Sequence, residues 1–189
     1  MISEERIQQL QIQDSIRQEM EQTLSVRTER YFKVKPHGII PYTQFAPASA
    51  ECPLLFRDGH FYGCIALVQA VTEAIARFMC KKNSCKPSKS FEENIKKLNT
   101  RGFISDDLKK AFIETWSKRD DYHHLNDTIE TDRQKLEEIA YNKILLLRKI
   151  ESEVFKFSLT DKGELVPENK KYWGLQKDEP IKVFLKLSP

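Results

Sequence analysis

Arg119, Asp120, Asp121, Tyr122, His123 and His124 place a guanidinium, two carboxylates and two imidazoles within one hexamer. Arginine stays protonated at any accessible pH and bridges phosphate oxygens with its planar fork. Histidine is the side chain whose ordinary pKa lets it give and take protons near neutrality. Cleavage of a phosphodiester by a neighbouring hydroxyl needs both capabilities: proton transfer, and stabilisation of charge on the nonbridging oxygens. On a regular helix at about 100° per residue, His123 lies about 40° from Arg119 and His124 about 140°. Asp120 and His124 are neighbours four apart that can hydrogen-bond, so Asp120 is placed to hold that imidazole in one tautomer. Arg119 falls in line with Leu108, Phe112 and Thr115 on the inward stripe. Arg119, Asp120 and His124 therefore converge only if the helix loosens or ends there.

Two further polar residues stand out. Gln69 and Glu73 lie one turn apart on an otherwise apolar segment, where a buried carboxylate is costly unless paired. They are expected to face Arg119 across a bundle and support the site, or else Glu73 reaches water at a groove edge; His123 is expected to pack, with a supporting role at the site left open by the helical wheel. Tyr122 is expected to pack. A metal site is disfavoured. Asp120 with His123 and Asp121 with His124 mimic the acidic residue, two spacers, histidine pattern of di-iron bundles, but those use glutamate and need a second copy that this chain lacks.

The elements that must position these groups read as helices. Ser3 to about Arg30 carries a thin apolar stripe of Ile7, Leu10, Ile16, Met20 and Leu24, the pattern of a helical arm packed against something. Residues from Tyr31 to His60 contain Pro36, Pro41, Pro47 and Pro53 and read as an irregular connector. Phe61 to Lys82 is apolar nearly all round, as the central helix of a bundle would be. Ser90 with Glu93 matches a capping box, predicting a helix from Phe91 to Asn99. Ser105 is a good N-cap for a helix from Asp106 to Leu125 that carries the hexamer. Thr131 to Phe157 repeats Leu136, Ile139, Ala140, Ile144, Leu147 and Ile150 at helical spacing. Asp161 to Gly163 reads as a turn, and Ile181 to Leu187 as a short strand or extended tail. The tail, which includes Tyr172 and Trp173, is expected to dock on the bundle or on a partner.

Composition sets the bounds. The chain has 189 residues and a formal charge of +3. That is long enough for one main domain with an extension, and too weakly charged to announce nucleic-acid binding by itself. Lys81, Lys82, Lys86, Lys89, Lys96, Lys97 and Arg101 form a local basic run that either guides a phosphate backbone or is simply a solvated face. The segment from Gly63 to Cys80 is interrupted by Gln69, Glu73 and Arg77, so it is expected to be buried rather than to span a membrane. The acidic N-terminus lacks the apolar run of a signal peptide. The four cysteines are then expected to be reduced thiols in a cytoplasm.

The hexamer also resembles the signature of the HEPN family: Arg, a polar residue, three variable positions and His, here Arg119, Asp120, Asp121 to His123, and His124. The flanking segments fit as well, an apolar helix before it and a long helix after it, so the resemblance spans about Phe61 to Phe157. What it implies is an all-α fold: a HEPN-like helical bundle over residues 61–158, with an N-terminal arm and connector over 1–60 and a short irregular or β tail over 159–189. It implies a homodimer that cleaves RNA without metal or cofactor, with Arg119, Asp120 and His124 as catalytic groups, in a toxin or defence role. An antitoxin or other regulatory protein is then a partner to expect. Some family members carry a tyrosine two residues beyond the histidine, linked to modification by a partner enzyme. Asn126 stands there in this chain, which weakens that arrangement. The alternative function is a non-catalytic bundle of the same kind that binds a partner protein or a nucleotide through its arm and tail.

Overall fold

The computed structural model describes residues 3–34, 38–168 and 182–186, and these are mostly helical. In chain order they form α1 (Glu4–Val34), β1 (Ile39–Pro41), α2 (Ala46–Arg57), α3 (Phe61–Lys82), α4 (Phe91–Thr100), α5 (Asp106–Trp116), α6 (Arg119–His124), α7 (Arg133–Val154), β2 (Phe157–Leu159), β3 (Leu165–Pro167) and β4 (Val183–Leu185). α3 is the centre of the bundle, flanked by α2, α4, α5, α6 and α7. Its apolar residues point several ways, and Cys64, Ile65, Val68, Ile75, Ala76 and Met79 are fully buried. It is also the one helix among the described residues long and apolar enough to cross a membrane, and its apolar surface is taken up by the neighbouring helices.

Local chemistry sets the helix starts. The Ser90 hydroxyl accepts from Glu93 N and opens α4, Ser105 accepts from Leu108 N and opens α5, and Asp132 accepts from Lys135 N and opens α7. Each satisfies one of the amides that a helix N-terminus leaves without an internal partner. α1 runs longer than its stripe predicts, about 46 Å at 1.5 Å per residue. Its C-terminal end is fastened to the body. Arg27 pairs with Asp58 at 2.7 Å, Arg30 reaches Glu137 through Nε at 2.9 Å and Nη2 at 2.6 Å, and Val34 is buried. Gly59 turns the chain from α2 into α3 at φ +77, and a Cβ there would stand 2.8 Å from Arg133 Nη2.

Two expectations about the elements are corrected. The connector holds a helix, α2, despite its prolines. Pro47 sits in the first turn, where its missing N–H costs nothing, and Pro53 lies inside. Burial of Ala46, Cys52 and Phe56 against the core holds the helix together across Pro53. The single helix expected from Asp106 to Leu125 is two, α5 and α6, broken at Ser117 and Lys118. The reason lies in tertiary contacts described below.

The strands form two small antiparallel pairs. β2 and β3 make a hairpin around Gly163, as the turn predicts, and β4 pairs with β1 in the register Ile39 with Leu185, Ile40 with Phe184 and Pro41 with Val183. Tyr172 and Trp173 lie outside the described residues. Beneath β4, Lys186 Nζ donates to Glu151 Oε2 at 2.5 Å and the Ser49 hydroxyl donates to Glu151 Oε1, all three residues being buried. This cluster ties the C-terminal strand to α2 and α7.

All four cysteines are buried free thiols. Burial pushes Cys64 up to about 12 and Cys80 up to about 11, and raises Cys52 well above the ordinary thiol value. Because the thiolate is the nucleophile, a disulfide reagent at pH 8 should label the native protein slowly and the urea-unfolded protein fully. Fast labelling of native protein would show that the core opens locally.

Candidate functional site

The hexamer forms its own short helix, α6, bounded by two non-glycine residues in the left-handed region: Lys118 at φ 57, ψ 27 and Leu125 at φ 52, ψ 47. Such conformations cost on the order of 1–3 kcal/mol each and persist only where the surroundings impose them. Tyr122 is buried and packs against Tyr62 of α3, with ring centroids 6.4 Å apart, and the Tyr62 hydroxyl donates to Glu130 O at 2.9 Å. Asn126 closes the other end, its backbone N–H donating to Asp121 O at 3.1 Å and its side-chain amide to Asp121 Oδ1 at 3.3 Å. Tyr122 therefore packs as expected, while both histidines are left exposed.

Arg119 does not lie on the inward stripe of α5, because the break resets the helical phase. Its guanidinium stands over the Trp116 ring, 5.3 Å from the centroid, and Trp116 is itself stacked on the buried Phe91 of α4 at 4.3 Å and 18°. The cation therefore rests on a platform built from two helices. Nη1 donates to Asp120 Oδ1 at 2.9 Å, and Nε is buried with no partner among the described residues. Asp120 thus holds the guanidinium, and among the described residues it forms no bond to His124, contrary to the orienting role expected of it. The Arg119 and Asp120 side chains are 33% and 76% exposed, so this ion pair is worth about 0–1 kcal/mol and a phosphate oxygen can displace the carboxylate.

The imidazole that stands one turn from Arg119 is His123, since α6 keeps helical spacing. Although the residue is exposed, its pKa is lowered from the ordinary histidine value first by partial desolvation of the ring against the protein, then by the Arg119 guanidinium and by His124. Asp120 and Glu73 pull the other way. His123 is thus mostly neutral at pH 7 and able to accept a proton. His124 lies at the end of α6, well round the helix from Arg119. The sequence motif favoured His124, whereas the electrostatics couple His123 to Arg119 and Glu73.

Among the described residues, neither supporting residue on α3 bonds to Arg119. Glu73 makes an ion pair with Arg77 one turn on. Gln69 is fully buried and donates through Nε2 to Ser117 O at 3.1 Å and Thr115 O at 3.4 Å. These carbonyls also accept from Lys143 of α7, a residue that the sequence analysis passed over. The signal was present. Lys143 falls at the centre of the apolar stripe of Leu136, Ala140, Leu147 and Ile150, where a cation must find oxygen partners. Glu151 falls on the same face, and its partners Ser49 and Lys186 lie far away in sequence.

A broad groove of about 970 Å³ lies elsewhere, lined by α1 from Gln13 to Phe32 and by Arg57. Compared with known proteins, the chain matches no family model, no curated protein and no solved structure.

Proposed function

We propose that this protein is a metal-independent endoribonuclease of HEPN type, acting on RNA through the α6 segment. The observation that carries the reading is the set of groups on that segment: a guanidinium on a rigid aromatic platform, a neutral imidazole one turn away, and a second imidazole exposed at the helix end. In the proposed step, neutral His123 takes the proton from an RNA 2′-hydroxyl as its oxygen bonds to the adjacent phosphorus. Arg119 carries the charge that builds on the nonbridging oxygens. The bond from phosphorus to the 5′-oxygen breaks, and His124 supplies the proton that this oxygen takes up. The products are a 2′,3′-cyclic phosphate and a 5′-hydroxyl. Incubation of labelled single-stranded RNA with purified protein and a chelator should give these ends and leave DNA intact. Strict dependence on an added divalent ion would overturn the mechanism.

One arginine and two exposed imidazoles are few groups with which to hold a phosphodiester, and a C2 homodimer with α6 near the two-fold axis would double them. Mixing the impaired Arg119→Ala and His124→Ala chains should then give more activity than the sum of the two alone. A protein that is monomeric by light scattering at micromolar concentration, with no restoration on mixing, would remove the composite site. As a toxin or defence effector, the wild-type chain should depress growth of a bacterial host.

A second reading is favoured by one feature of α1. Ile12, Ile16, Met20 and Leu24 form an exposed apolar ridge at a spacing of four. In a non-catalytic module this ridge would be the working surface that binds a partner protein. Met20→Glu would then abolish the growth effect while Arg119→Ala kept it, the reverse of the outcome expected for the nuclease.

A further inference from the structure

Lys143 is a buried lysine, 5% exposed, and among the described residues no carboxylate lies within ion-pair reach of it. Its Nζ instead donates to Thr115 O at 2.8 Å, Ser117 O at 2.9 Å, Glu114 O at 3.1 Å and Ser117 Oγ at 3.2 Å. Three of these are carbonyls at the C-terminal end of α5, an end that carries partial negative charge. Glu114 O also accepts from Ser117 N at 3.3 Å, while Thr115 O and Ser117 O are carbonyls that a helix end leaves without amide partners. Were α5 to run on into α6, Thr115 O and Ser117 O would instead accept from the amides of Arg119 and Asp121. Lys143 and the Gln69 amide occupy those oxygens from two other helices. Ser117 accordingly leaves the helix at φ −53, ψ 140, Lys118 turns left-handed, and a new helix begins at Arg119.

We propose that Lys143 is the positioning residue of the site: its ammonium holds open the break between α5 and α6, which sets Arg119 over Trp116 and turns both histidines outward. The activity part of this proposal rests on the nuclease reading. The structural part does not.

The charge state of Lys143 offers a readout that a purely structural role would not move. Burial lowers its pKa to about 8, with Glu114 of α5 opposing and Lys118 of the link assisting, while Gln69 on α3 is neutral. Between about pH 8 and the ordinary lysine value, the folded protein has released a proton that the unfolded chain still holds. Stability therefore rises with pH across that window. The cap, over the same window, loses its charge and one donor. Placement of Arg119 and global stability should move in opposite directions.

The chain has two tryptophans, so a Trp173→Phe background leaves Trp116 as the sole indole reporter, directly beneath the Arg119 guanidinium. In that background the Trp116 emission should titrate with a midpoint near pH 8, while the urea midpoint does not fall. Lys143→Met should shift the emission and abolish the titration with no loss of urea resistance, because an apolar chain replaces a buried cation. It should slow RNA cleavage by about 10²-fold, the scale of an ångström-sized misplacement. Lys143→Arg, which keeps the charge at every pH tested, should restore the emission of the charged wild type without the titration. Unchanged Trp116 emission in Lys143→Met, or parallel loss of emission and stability with pH, would overturn the proposal. Should the emission respond as expected and no chain cleave RNA, the positioning role stands and the nuclease reading fails.

Discussion

Lys186→Ala should cost about 3–5 kcal/mol of stability, as much as truncating a core aromatic residue. Lys186 and Glu151 form a buried ion pair at 2.5 Å, with 4% and 2% of their side chains exposed. Removing the lysine leaves a carboxylate on α7 with only the Ser49 hydroxyl for company. α7 is a core helix, so Glu151 cannot swing out to water. Lys186 can, because it sits beside β4, which is held to the body by this pair and by its ladder with β1. The two single substitutions are therefore unequal. Glu151→Ala releases the strand and should cost less than Lys186→Ala. Urea unfolding followed by circular dichroism checks the order, and equal small losses would show that the cluster is wet. Replacing both residues with methionine should be neutral or stabilising, since an apolar pair avoids the desolvation of two charges.

The same contacts show which parts of the fold could be read in the sequence. α3 begins at Phe61 and ends at Lys82, as its all-round apolar pattern predicts, and α4 opens at Ser90 because a cap is a local interaction within four residues. Asp161 to Gly163 formed its turn for the same reason. The break before Arg119 depends on donors from α3 and α7, 48 residues before and 26 residues after the Ser117 carbonyl they bind. No window along the chain contains both. Local propensity favoured one continuous helix through Ser117, and the tertiary partners of its carbonyls overrode it. α2 escaped notice for the opposite reason. Its prolines are strong local punctuation, but Pro47 sits where an N–H is dispensable, and the gain from burying Phe56 and Cys52 is a property of the assembled core. The residue types at the candidate site were legible, while their roles were not. Asp120 serves Arg119, and the platform beneath Arg119 needs Phe91 from another helix.

Arg119→Ala should lower RNA cleavage by about 10²–10³-fold, the usual cost of losing a group that stabilises charge in the transition state. Its effect on folding should be small, because the exposed pair with Asp120 is worth about 0–1 kcal/mol and the stacking on Trp116 on the order of 0.5–1 kcal/mol. Arg119→Lys keeps the charge but loses the planar fork and the stacking, so it should recover little activity. His123→Ala separates the roles of the two imidazoles. With its pKa held below the ordinary histidine value by partial desolvation and by Arg119 and His124, His123 stays neutral to lower pH than a free imidazole would. The wild-type rate should therefore hold as pH falls through 6.5 and drop only below it. In Arg119→Lys the cation is no longer held in the same place, so the acid limb should move. His124→Ala should keep that limb but move it towards the ordinary histidine value, because His124 also helps lower the His123 pKa, and should reduce the rate by weakening protonation of the leaving oxygen. If His124→Ala abolishes the acid limb while His123→Ala does not, the proton acceptor is His124 and the assignment of the two imidazoles is reversed. If Arg119→Ala, His123→Ala and His124→Ala all cleave like wild type, α6 is not the catalytic segment and the apolar ridge of α1 becomes the functional surface to pursue.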